Sequence, residues 1–480
     1  MDPRPIFQVV GLLLTTLGCA MMLPALVDLM LGHADWLAFA ASSLFTLFVG
    51  IGLWATSRGS TAPLGIRQAF LLTIATWVAL TTFGALPFHW SEMEMSFTDA
   101  FFESMSGLTT TGSTVIVGLD LAPPGILLWR GILQWLGGLG IIVMAIAVLP
   151  MLQVGGMQLF KAEAFDTSEK ILPRATQISG SMMLIYAALT ALCALAYDAV
   201  GMNSLDAVVH AMTTIATGGF SSHDASIGYY QSAAVDWIAV VFMIVGSLPF
   251  LLYLKAVTGA PGMLIRDSQV KMFFLVLGLF VAIAWGGRVL DGAEPMLALQ
   301  HAAFNITSIM TGTGYATTDY HAWGSFATGL FFIVMFIGGC AGSTSCGIKI
   351  FRLQVAAANI IQHLKRIIHP HGIFPKRYNG KPLPDSVVSA VMTFVFLYFL
   401  CVAVLAILLS FFGLDHLTAL SASATAISNV GPGLGVTIGP SGTFQSLPDG
   451  AKWLLSFGML LGRLELLTVL VIFLPRFWIR

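Results

Sequence analysis

Four short polar segments that contain glycine interrupt apolar stretches of membrane length in this chain. They are Thr109–Ser113 (TTTGS), Ala216–Phe220 (ATGGF), Thr311–Tyr315 (TGTGY) and Asn429–Gly433 (NVGPG). Irregular backbone at membrane depth is tolerated only where protein buries it or where it lines an aqueous path. A ring of backbone carbonyls can replace the hydration shell of a potassium ion. We therefore expect the four hairpins to line one pathway for cations.

The candidate ion ligands are the glycine of each hairpin and the residues just before it. Glycine reaches positive φ or lets backbones approach closely without a Cβ clash, so carbonyl groups can turn towards one axis. Threonine can add a hydroxyl oxygen or tether the strand from behind. In the second hairpin the spacing leaves open whether Gly218 or Gly219 is the equivalent glycine. The predicted ligand residues are Thr110, Thr111, Gly112, Thr217, Gly218, Gly219, Thr313, Gly314, Asn429, Val430 and Gly431.

Composition places these hairpins in a membrane protein. Of 480 residues, 57% are hydrophobic and 9% are charged, and the mean hydropathy is +0.87. Soluble domains carry about 25% charged residues. The five cysteines lie in apolar or glycine-rich segments without a CxxC pair, so we expect small buried side chains and neither disulfides nor a metal site. The sequence predicts an all-α polytopic membrane protein.

The apolar segments repeat one pattern four times. A long helix is followed by a short one, a hairpin and a second long helix, and two extra helices come first. The short helices are predicted at 97–108, 204–215, 296–310 and 416–427. The spans are predicted at 6–30, 36–56, 68–89, 123–153, 178–199, 232–257, 271–290, 323–351, 386–413 and 451–478. The resulting units are 1–66 for the two extra helices, then repeats at 67–175, 176–269, 270–384 and 385–480.

Charge distribution orients this pattern. Most Lys and Arg, from Arg4 and Arg58 to Lys365 and Arg476, fall in alternate connections, and the positive-inside rule places those connections and both termini in the cytoplasm. The opposite side is acidic. The hairpins are then entered from outside, beneath a mouth that concentrates cations. Each short helix points its carbonyl end, with roughly half an elementary negative charge, at the membrane centre.

Three stretches of the sequence, each in or next to a hairpin, resemble a known family of transport proteins. They are Glu103–Leu108 leading into the first hairpin, Thr217–Asp224 (TGGFSSHD) and Asn429–Gly435 (NVGPGLG). The chain is similar over essentially its whole length to the Trk/Ktr/HKT superfamily, and best to its TrkH branch. The resemblance implies four M1–P-loop–M2 repeats around one pore and potassium as the transported ion. The sequence has neither a nucleotide-binding P-loop nor a dinucleotide fingerprint, so no organic cofactor is expected in this chain. When the hairpins are matched to the family's motif, the resemblance implies that the filter glycines are Gly112, Gly219, Gly314 and Gly431.

A second polar stretch lies within the predicted span 323–351. It is rich in glycine and hydroxyl side chains, and each glycine costs a helix about 1 kcal/mol relative to alanine. We expect an unwound loop at 338–347 that crosses the pore beneath the hairpins, although small residues also mediate close helix packing. The resemblance supports a gating loop here. The predicted gate residues are Gly338, Gly339, Gly342, Ser343, Thr344, Ser345, Gly347, Lys349 and Arg463.

Arg463 is a charge inside the predicted last span. Such a residue costs about 2.5–3.5 kcal/mol to insert and normally faces protein or water. Glu465 is not one helical turn away, so Arg463 is free to donate to carbonyls of the loop and to repel cations. Pinning two helices together is the structural alternative. In the span 123–153, Gln134 and its neighbouring glycines indicate packing instead of chemistry.

Several function classes remain to be weighed. A membrane enzyme needs a catalytic pair at one depth, and none is evident, so no enzyme activity is expected. A carrier with inverted halves does not fit four copies of one orientation. Channel-like flux and proton- or sodium-coupled uptake stay open. The resemblance implies a homodimer in a bacterial inner membrane and a cytosolic nucleotide-binding (RCK/KTN-type) regulatory subunit. No nucleic-acid partner is expected.

Overall fold

The structure is a computed structural model that describes residues 2–58, 65–147 and 175–479. The end of the predicted span 123–153 and the charges Lys161, Lys170, Arg174 and Arg480 lie outside the described residues. Within them, seven helices are long and apolar enough to cross a membrane, and two bent helix pairs raise that number to nine. The predicted all-α polytopic architecture is confirmed.

Two helices precede the repeats, as predicted, and the repeated units follow in the predicted order. The first two helices are Arg4–Leu31 and Trp36–Thr56. The first helices of the repeats, termed outer helices, are Ile66–Gly84 (continued by Leu86–Trp90), Ala175–Ala199, Ser268–Leu290 and Asp385–Phe411. The short second helices, termed pore helices, are Phe97–Leu108, Ser204–Ile215, Pro295–Thr311 and His416–Ser428.

The helices after each hairpin, termed inner helices, are less regular. They comprise Pro124–Ala147, Ala233–Ser247 with Phe250–Val257, Ser325–Val334 with Ile350–Ile368, and Asp449–Arg463 with Leu467–Leu470. Shorter elements are Gly262–Arg266, the 3-10 turns Leu119–Leu121, Ser226–Tyr230, Tyr320–Trp323 and Val471–Phe473, Pro475–Trp478, and the hairpin of strands Arg377–Tyr378 and Lys381–Pro382.

Two predicted continuous spans are wrong in the same way. The inner helix of repeat 2 bends by 91° after Ser247, and that of repeat 4 bends by 109° after Arg463. Pro249 explains the first bend, because its ring cannot continue the preceding helix. Glu465 and Leu466 adopt positive φ at the second. The inner helix of repeat 3, whose interruption at 338–347 the sequence predicts, ends at Val334 and resumes only at Ile350.

The N-terminal helices support the first repeat from outside. Asp28, fully buried in the helix Arg4–Leu31, accepts a 2.6 Å hydrogen bond from the backbone N–H of Gly125. This carboxylate satisfies an N–H group at the start of the inner helix, where negative charge is favourable. The contact fixes the start of the helix whose later turns reach the second hairpin.

Candidate functional site

All four pore helices end in one backbone motif. A residue in the left-handed conformation follows each helix, and the next N–H donates to the carbonyl five residues earlier, as in a Schellman motif. These second bonds are 2.8 Å at Thr111, 2.8 Å at Gly218, 2.9 Å at Thr313 and 3.1 Å at Val430. The left-handed residues are Thr110 (φ 53°), Thr217 (φ 49°), Gly312 (φ 77°) and Asn429 (φ 51°).

Two of those positions are strained. Thr110 and Thr217 are β-branched, and positive φ is a genuine outlier for such residues. Strain of this kind persists only where the surrounding structure imposes it, and it clusters at functional sites. Asn429 tolerates the conformation better because its short polar side chain bonds locally. The same turn is therefore built from three residue types, threonine, glycine and asparagine, and it is present in the irregular fourth hairpin too.

A second left-handed position follows two residues later in every hairpin. It is occupied by Gly112 (φ 88°), Gly219 (φ 75°), Gly314 (φ 84°) and Gly431 (φ 108°). Gly218 is absent from the positive-φ positions. Gly219 is therefore the residue equivalent to Gly112, and the alternative left open by the spacing is resolved. Only glycine adopts this conformation without a Cβ penalty.

The four glycines close a ring. A Cβ placed on Gly431 would lie 2.7 Å from the carbonyl oxygen of Thr111, the residue before the glycine of the first hairpin. In the same way, a Cβ on each of the other three glycines would meet a carbonyl oxygen of the following repeat, namely that of the residue before its hairpin glycine. The contacts run from Gly112 to Gly218, from Gly219 to Thr313, from Gly314 to Val430, and from Gly431 back to Thr111. This cyclic order places the four hairpins around one axis.

Most carbonyl oxygens of the ring have no hydrogen-bond donor. Those of Thr111, Thr313 and Val430 accept no hydrogen bond from the described residues, whereas Gly218 accepts one from Gln134. A cavity of about 280 Å³ opens beside the ring and is lined by all four hairpin glycines. Buried carbonyls without donors are rare unless another partner satisfies them. The ring can satisfy them by coordinating a dehydrated cation.

The segment predicted to form a loop lies directly beneath the hairpins. It extends beyond 338–347 to fill the whole gap between Val334 and Ile350. Backbone bonds between Gly338 and Ile348 (3.0 Å) and between Ile348 and Phe336 (2.9 Å) close its base. Gly342 and Gly347 adopt φ values of 75° and 72°. The loop is therefore an ordered turn with its own internal bonds.

Hydroxyl groups hold this loop together, and a backbone hydrogen bond attaches it to repeat 2. Gly339 N–H donates to Ser345 Oγ at 2.8 Å, and Ser343 Oγ donates to the carbonyl of Cys340 at 2.6 Å. The carbonyl of Gly342 accepts from Phe250 N–H at 2.9 Å. Phe250 is the first residue after the bend in the inner helix of repeat 2. The bend thus provides a free N–H group for the loop.

Thr344 is the main contact between the loop and the hairpins. Its hydroxyl lies 3.0 Å from the carbonyl of Ile215 and 2.9 Å from that of Gly246. It also accepts from Thr217 Oγ1 at 3.1 Å. Ile215 ends a pore helix and Thr217 is one of the strained hairpin residues. The tip of the loop is therefore bonded to the underside of the ring.

Arg463 connects the loop to two further repeats. It is 1% exposed, and one terminal nitrogen lies 3.2 Å from the Thr344 carbonyl and 2.8 Å from Cys346 Sγ. The other donates to the Gly137 carbonyl at 2.8 Å. Arg463 is the last residue of its helix, not a mid-helix residue as the continuous span implied. It joins repeats 1, 3 and 4 at one point.

The charges beneath the ring are predominantly positive. Lys349 is buried and donates to the carbonyl of Ser345. Arg352 forms a buried ion pair with Glu465 and stacks over Phe394, 3.7 Å from the ring centre. With Arg463, three cations therefore face one carboxylate. Like charges repel strongly in a buried region, because little water screens them.

Comparisons with known proteins bear on this arrangement. A sequence profile of the TrkH family, described as cation transport protein, matches residues 37–478. The chain is 47% identical over 475 residues to "Trk system potassium uptake protein TrkI" of Halomonas elongata, across 99% of this chain and 96% of that protein. It is 38% identical over 485 residues to "Trk system potassium uptake protein TrkH" of Escherichia coli K12, across 99% of each.

A solved structure agrees. The crystal structure of the potassium transporter TrkH from Vibrio parahaemolyticus matches with a TM-score of 0.91 and 38% identity, covering 100% of both chains. The chain belongs to the TrkH family. It is therefore a multi-pass membrane protein of a family of cation transport proteins, not of enzymes. The predicted resemblance, fold class and lack of enzyme class are confirmed.

In this TrkH-family chain, a buried ion pair braces the outer ends of two hairpins. Glu103 and Arg130 meet at 2.8 Å and are 0% and 1% exposed at their side chains. Glu103 also accepts from Val115 N–H at 2.9 Å, beyond the first hairpin. Arg130 donates to the carbonyl of Ser221 at 2.5 Å and lies over Phe220, beyond the second. Hydrogen-bonded pairs of this kind hold a fixed geometry.

A histidine joins the loops that follow the hairpins of the same two repeats. His223 Nδ1 lies 2.6 Å from Asp120 and Nε2 lies 3.2 Å from Asp206, while Tyr229 stacks on the ring at 3.5 Å. Burial by itself lowers the pKa of His223, but the hydrogen bonds to Asp206 and Asp120 outweigh it, and the pKa is raised. Both ring nitrogens donate only in the charged form.

The acidic residues after the hairpins have structural partners. Asp120 bonds His223, and Asp224 accepts from the N–H groups of Gly118 and Leu119 at 3.2 and 3.1 Å. Asp319 accepts from His321 N–H at 2.9 Å. Asp224 lines the cavity. The three carboxylates therefore order the loops that follow the hairpins, and their steering of cations remains a prediction.

Sequence reasoning missed several residues of the site. Gln134 was assigned to packing, yet its amide contacts the second hairpin on both sides of Gly219. The ion pair of Arg352 with Glu465 was missed because the partners lie far apart in the chain. Polarity inside an apolar span was the available signal for Gln134 and Arg130. Such residues face protein far more often than lipid.

Proposed function

We propose that this chain takes up potassium ions across the bacterial cytoplasmic membrane through a filter of backbone carbonyls. The relatives above are named potassium uptake proteins or potassium transporters. One observation carries the proposal from the residues of this chain. The four hairpin glycines each contact the preceding carbonyl of the next repeat, in a closed cyclic order.

Selectivity for potassium follows from how these oxygens are presented. A cation entering the ring must exchange water for protein oxygens, and carbonyls without donors are ready to replace that water. Four pore helices direct the negative ends of their dipoles at the same place. The filter ligands are those predicted from the hairpins, namely Thr110, Thr111, Gly112, Thr217, Gly218, Gly219, Thr313, Gly314, Asn429, Val430 and Gly431.

We further propose that the loop beneath the ring closes the pore. Its tip is bonded to Ile215, Thr217 and Gly246 through Thr344. Arg463 fixes it from the opposite side. The charges of Lys349 and Arg463 add an electrostatic barrier to the steric one. Opening requires these bonds to break together, because they converge on one short segment.

The amphipathic helix Ile350–Ile368 offers a mechanical connection to the gate. Lys349 directly precedes this helix, so a movement of the helix pulls on the loop. Its far end carries Lys365 and Arg366, and it exposes Ile360, Ile361 and Leu364. We propose cytoplasmic termini, a homodimer, and a cytosolic RCK/KTN-type regulatory subunit that acts through this helix.

Flux from vesicles tests the transport proposal. Purified protein is placed in two sets of vesicles, one loaded with potassium and the other with sodium at the same concentration. The first set should release K⁺ much faster than the second releases Na⁺. Equal K⁺ and Na⁺ flux from folded protein would contradict the filter. Imposed proton and sodium gradients then separate the alternatives, because coupled uptake accumulates K⁺ against its gradient and channel-like flux does not.

A further inference from the structure

Three of the four filter strands are tethered from behind, in two different ways. In the first hairpin the hydroxyl of Thr111 lies 2.7 Å from that of Thr109. In the third hairpin Thr313 and Thr311 form the same pair at 2.8 Å. Each strand is thus held by a threonine of its own hairpin, placed just before the filter glycine. The second hairpin has no such pair, because Gly218 and Ala216 occupy the two positions.

Gln134 occupies the space that the missing threonine would fill. A Cβ built on Gly218 would overlap the amide carbon, oxygen and nitrogen of Gln134. The backbone of Gly218 lies outside the positive-φ region, so its conformation does not require glycine. The absence of a side chain at this position is therefore explained by the neighbouring amide and not by the backbone.

The amide of Gln134 bonds the strand on both sides of the filter glycine. Its nitrogen donates to the carbonyl of Gly218 at 2.6 Å, and its oxygen accepts from the N–H of Phe220 at 3.0 Å. Phe220 N–H can only donate and the Gly218 carbonyl can only accept, so one orientation of the amide satisfies both. The side chain is fully buried, where an unmatched amide is costly.

The second strand needs such a support more than the other three. Gly218 and Gly219 are adjacent, and consecutive glycines leave the backbone more freedom than any other pair. The supporting side chain comes from the inner helix of repeat 1, so the strand is held by a neighbouring repeat. The oxygen it holds belongs to the ring, where small displacements alter ion coordination.

We propose that Gln134 is a specificity-determining positioning residue of the filter, which replaces in repeat 2 the threonine tether of repeats 1 and 3. This inference rests on the proposed filter. Loss of the amide frees the Gly218 carbonyl to rotate and widens the range of ions that the ring accepts. Discrimination between K⁺ and Na⁺ should therefore depend on Gln134 although it touches no ion.

The test compares ion discrimination in variants of matched size. Gln134→Met keeps most of the volume but removes both hydrogen bonds. In vesicles, its K⁺/Na⁺ flux ratio should fall roughly five- to tenfold, the size expected from one or two buried hydrogen bonds. Trp135→Phe, on the same helix as Gln134, is the control, because Trp135 donates to Thr190 of the outer helix of repeat 2, away from the filter. Its flux ratio should stay at the wild-type value.

A rescue separates positioning from general destabilisation. Gly218→Thr alone should reduce K⁺ flux roughly tenfold or more, since its Cβ meets the Gln134 amide. Adding Gln134→Ala should restore part of that flux, because the new threonine then has room. A double variant that conducts no better than Gly218→Thr would overturn the proposal, as would an unchanged ratio in folded Gln134→Met.

Two additions keep every outcome informative. If Gln134→Met yields too little folded protein, Gln134→Leu also removes both hydrogen bonds at similar volume, and its flux ratio should also fall. Gly314→Ser is measured beside them. If it lowers the ratio and the Gln134 variants do not, this inference alone fails. If neither changes the ratio, the proposed filter itself is wrong.

Discussion

The ring of hairpins and the loop beneath it differ in symmetry. In the ring, all four repeats place left-handed residues at the same two positions and each glycine meets the next repeat in turn. Beneath it, each repeat contributes something different: Gly137 a carbonyl, Gly246 another, repeat 3 a folded loop and repeat 4 Arg463. The four repeats therefore contribute equivalent residues to the ring but non-equivalent residues to the region beneath it.

This difference follows from what each region is proposed to do. Coordination of a spherical ion favours similar oxygens on all sides of an axis, so the repeats are kept alike there. A closed gate needs one obstruction and a way to release it, and a single loop held by Thr344 and Arg463 is sufficient. Three inner helices are interrupted just below the ring, which provides the backbone groups that the loop uses.

The largest effect is expected in the ring of hairpins. Gly314→Ser forces a side chain onto backbone at φ 84° and against the Val430 carbonyl. Strain and overlap each cost on the order of 1–3 kcal/mol, so K⁺/Na⁺ discrimination should fall roughly thirtyfold or more. Gly292→Ser is the matched control, since Gly292 has φ 86° and nothing within 4 Å. Equal losses in both variants would mean that backbone strain alone is responsible.

The next largest effect is expected at the loop beneath the ring, where a substitution should raise K⁺ flux instead of impairing the filter. Arg463→Ala removes donors to the loop and a buried positive charge, so K⁺ flux without a regulatory partner should rise roughly tenfold. Arg288→Ala, an outer cation stacked at 5.0 Å on Trp323, should leave flux unchanged. Combination with a shortened 338–347 loop should be less than additive. Poor yield without increased flux would make Arg463 a purely structural residue.

A smaller change at the junction of the two regions separates their roles. Thr344→Val keeps the side-chain shape but loses the hydroxyl bonds to Ile215, Gly246 and Thr217. Basal flux should increase roughly threefold, because these bonds are neutral and partly shared, while ion discrimination stays constant. The two quantities are measured in the same vesicles. A fall in discrimination would show that the loop also shapes the filter.

The smallest effect lies at the outer mouth and depends on pH. Because the pKa of His223 is raised by Asp206 and Asp120, its bonds contribute fully below the ordinary histidine pKa of about 6.5. That contribution is lost as pH rises through the raised folded value. The melting temperature of wild type should therefore exceed that of His223→Gln at pH 6, and the difference should shrink above neutrality. A constant difference would contradict a charged His223.

The sequence predicted the ring better than the region below it. The hairpin residues can be recognised from the local sequence, since glycine and threonine after a short helix have few other uses at membrane depth. The glycine register in repeat 2 needed the observed φ values. The polar stretch at 338–347 was also visible, because glycine and hydroxyl residues rarely continue an apolar span.

What could not be predicted depends on contacts between distant residues. Pro249 was a readable signal for one bend, but nothing local marks the break after Arg463, where Glu465 leaves the helix to pair with Arg352. The role of Gln134 became visible only once Gly218 was placed beside it. The repeat boundaries, the orientation and the roles of the site residues remain predictions.

The most direct test of the account locates the ion itself. Crystals grown in rubidium, which substitutes for potassium and scatters anomalously, should show an anomalous peak on the axis among the carbonyls of Thr111, Gly218, Thr313 and Val430. The loop beneath should carry no peak while Arg463 bonds Thr344. A peak at the level of the loop, with none among the four carbonyls, would contradict the central claim that these hairpins form the ion filter.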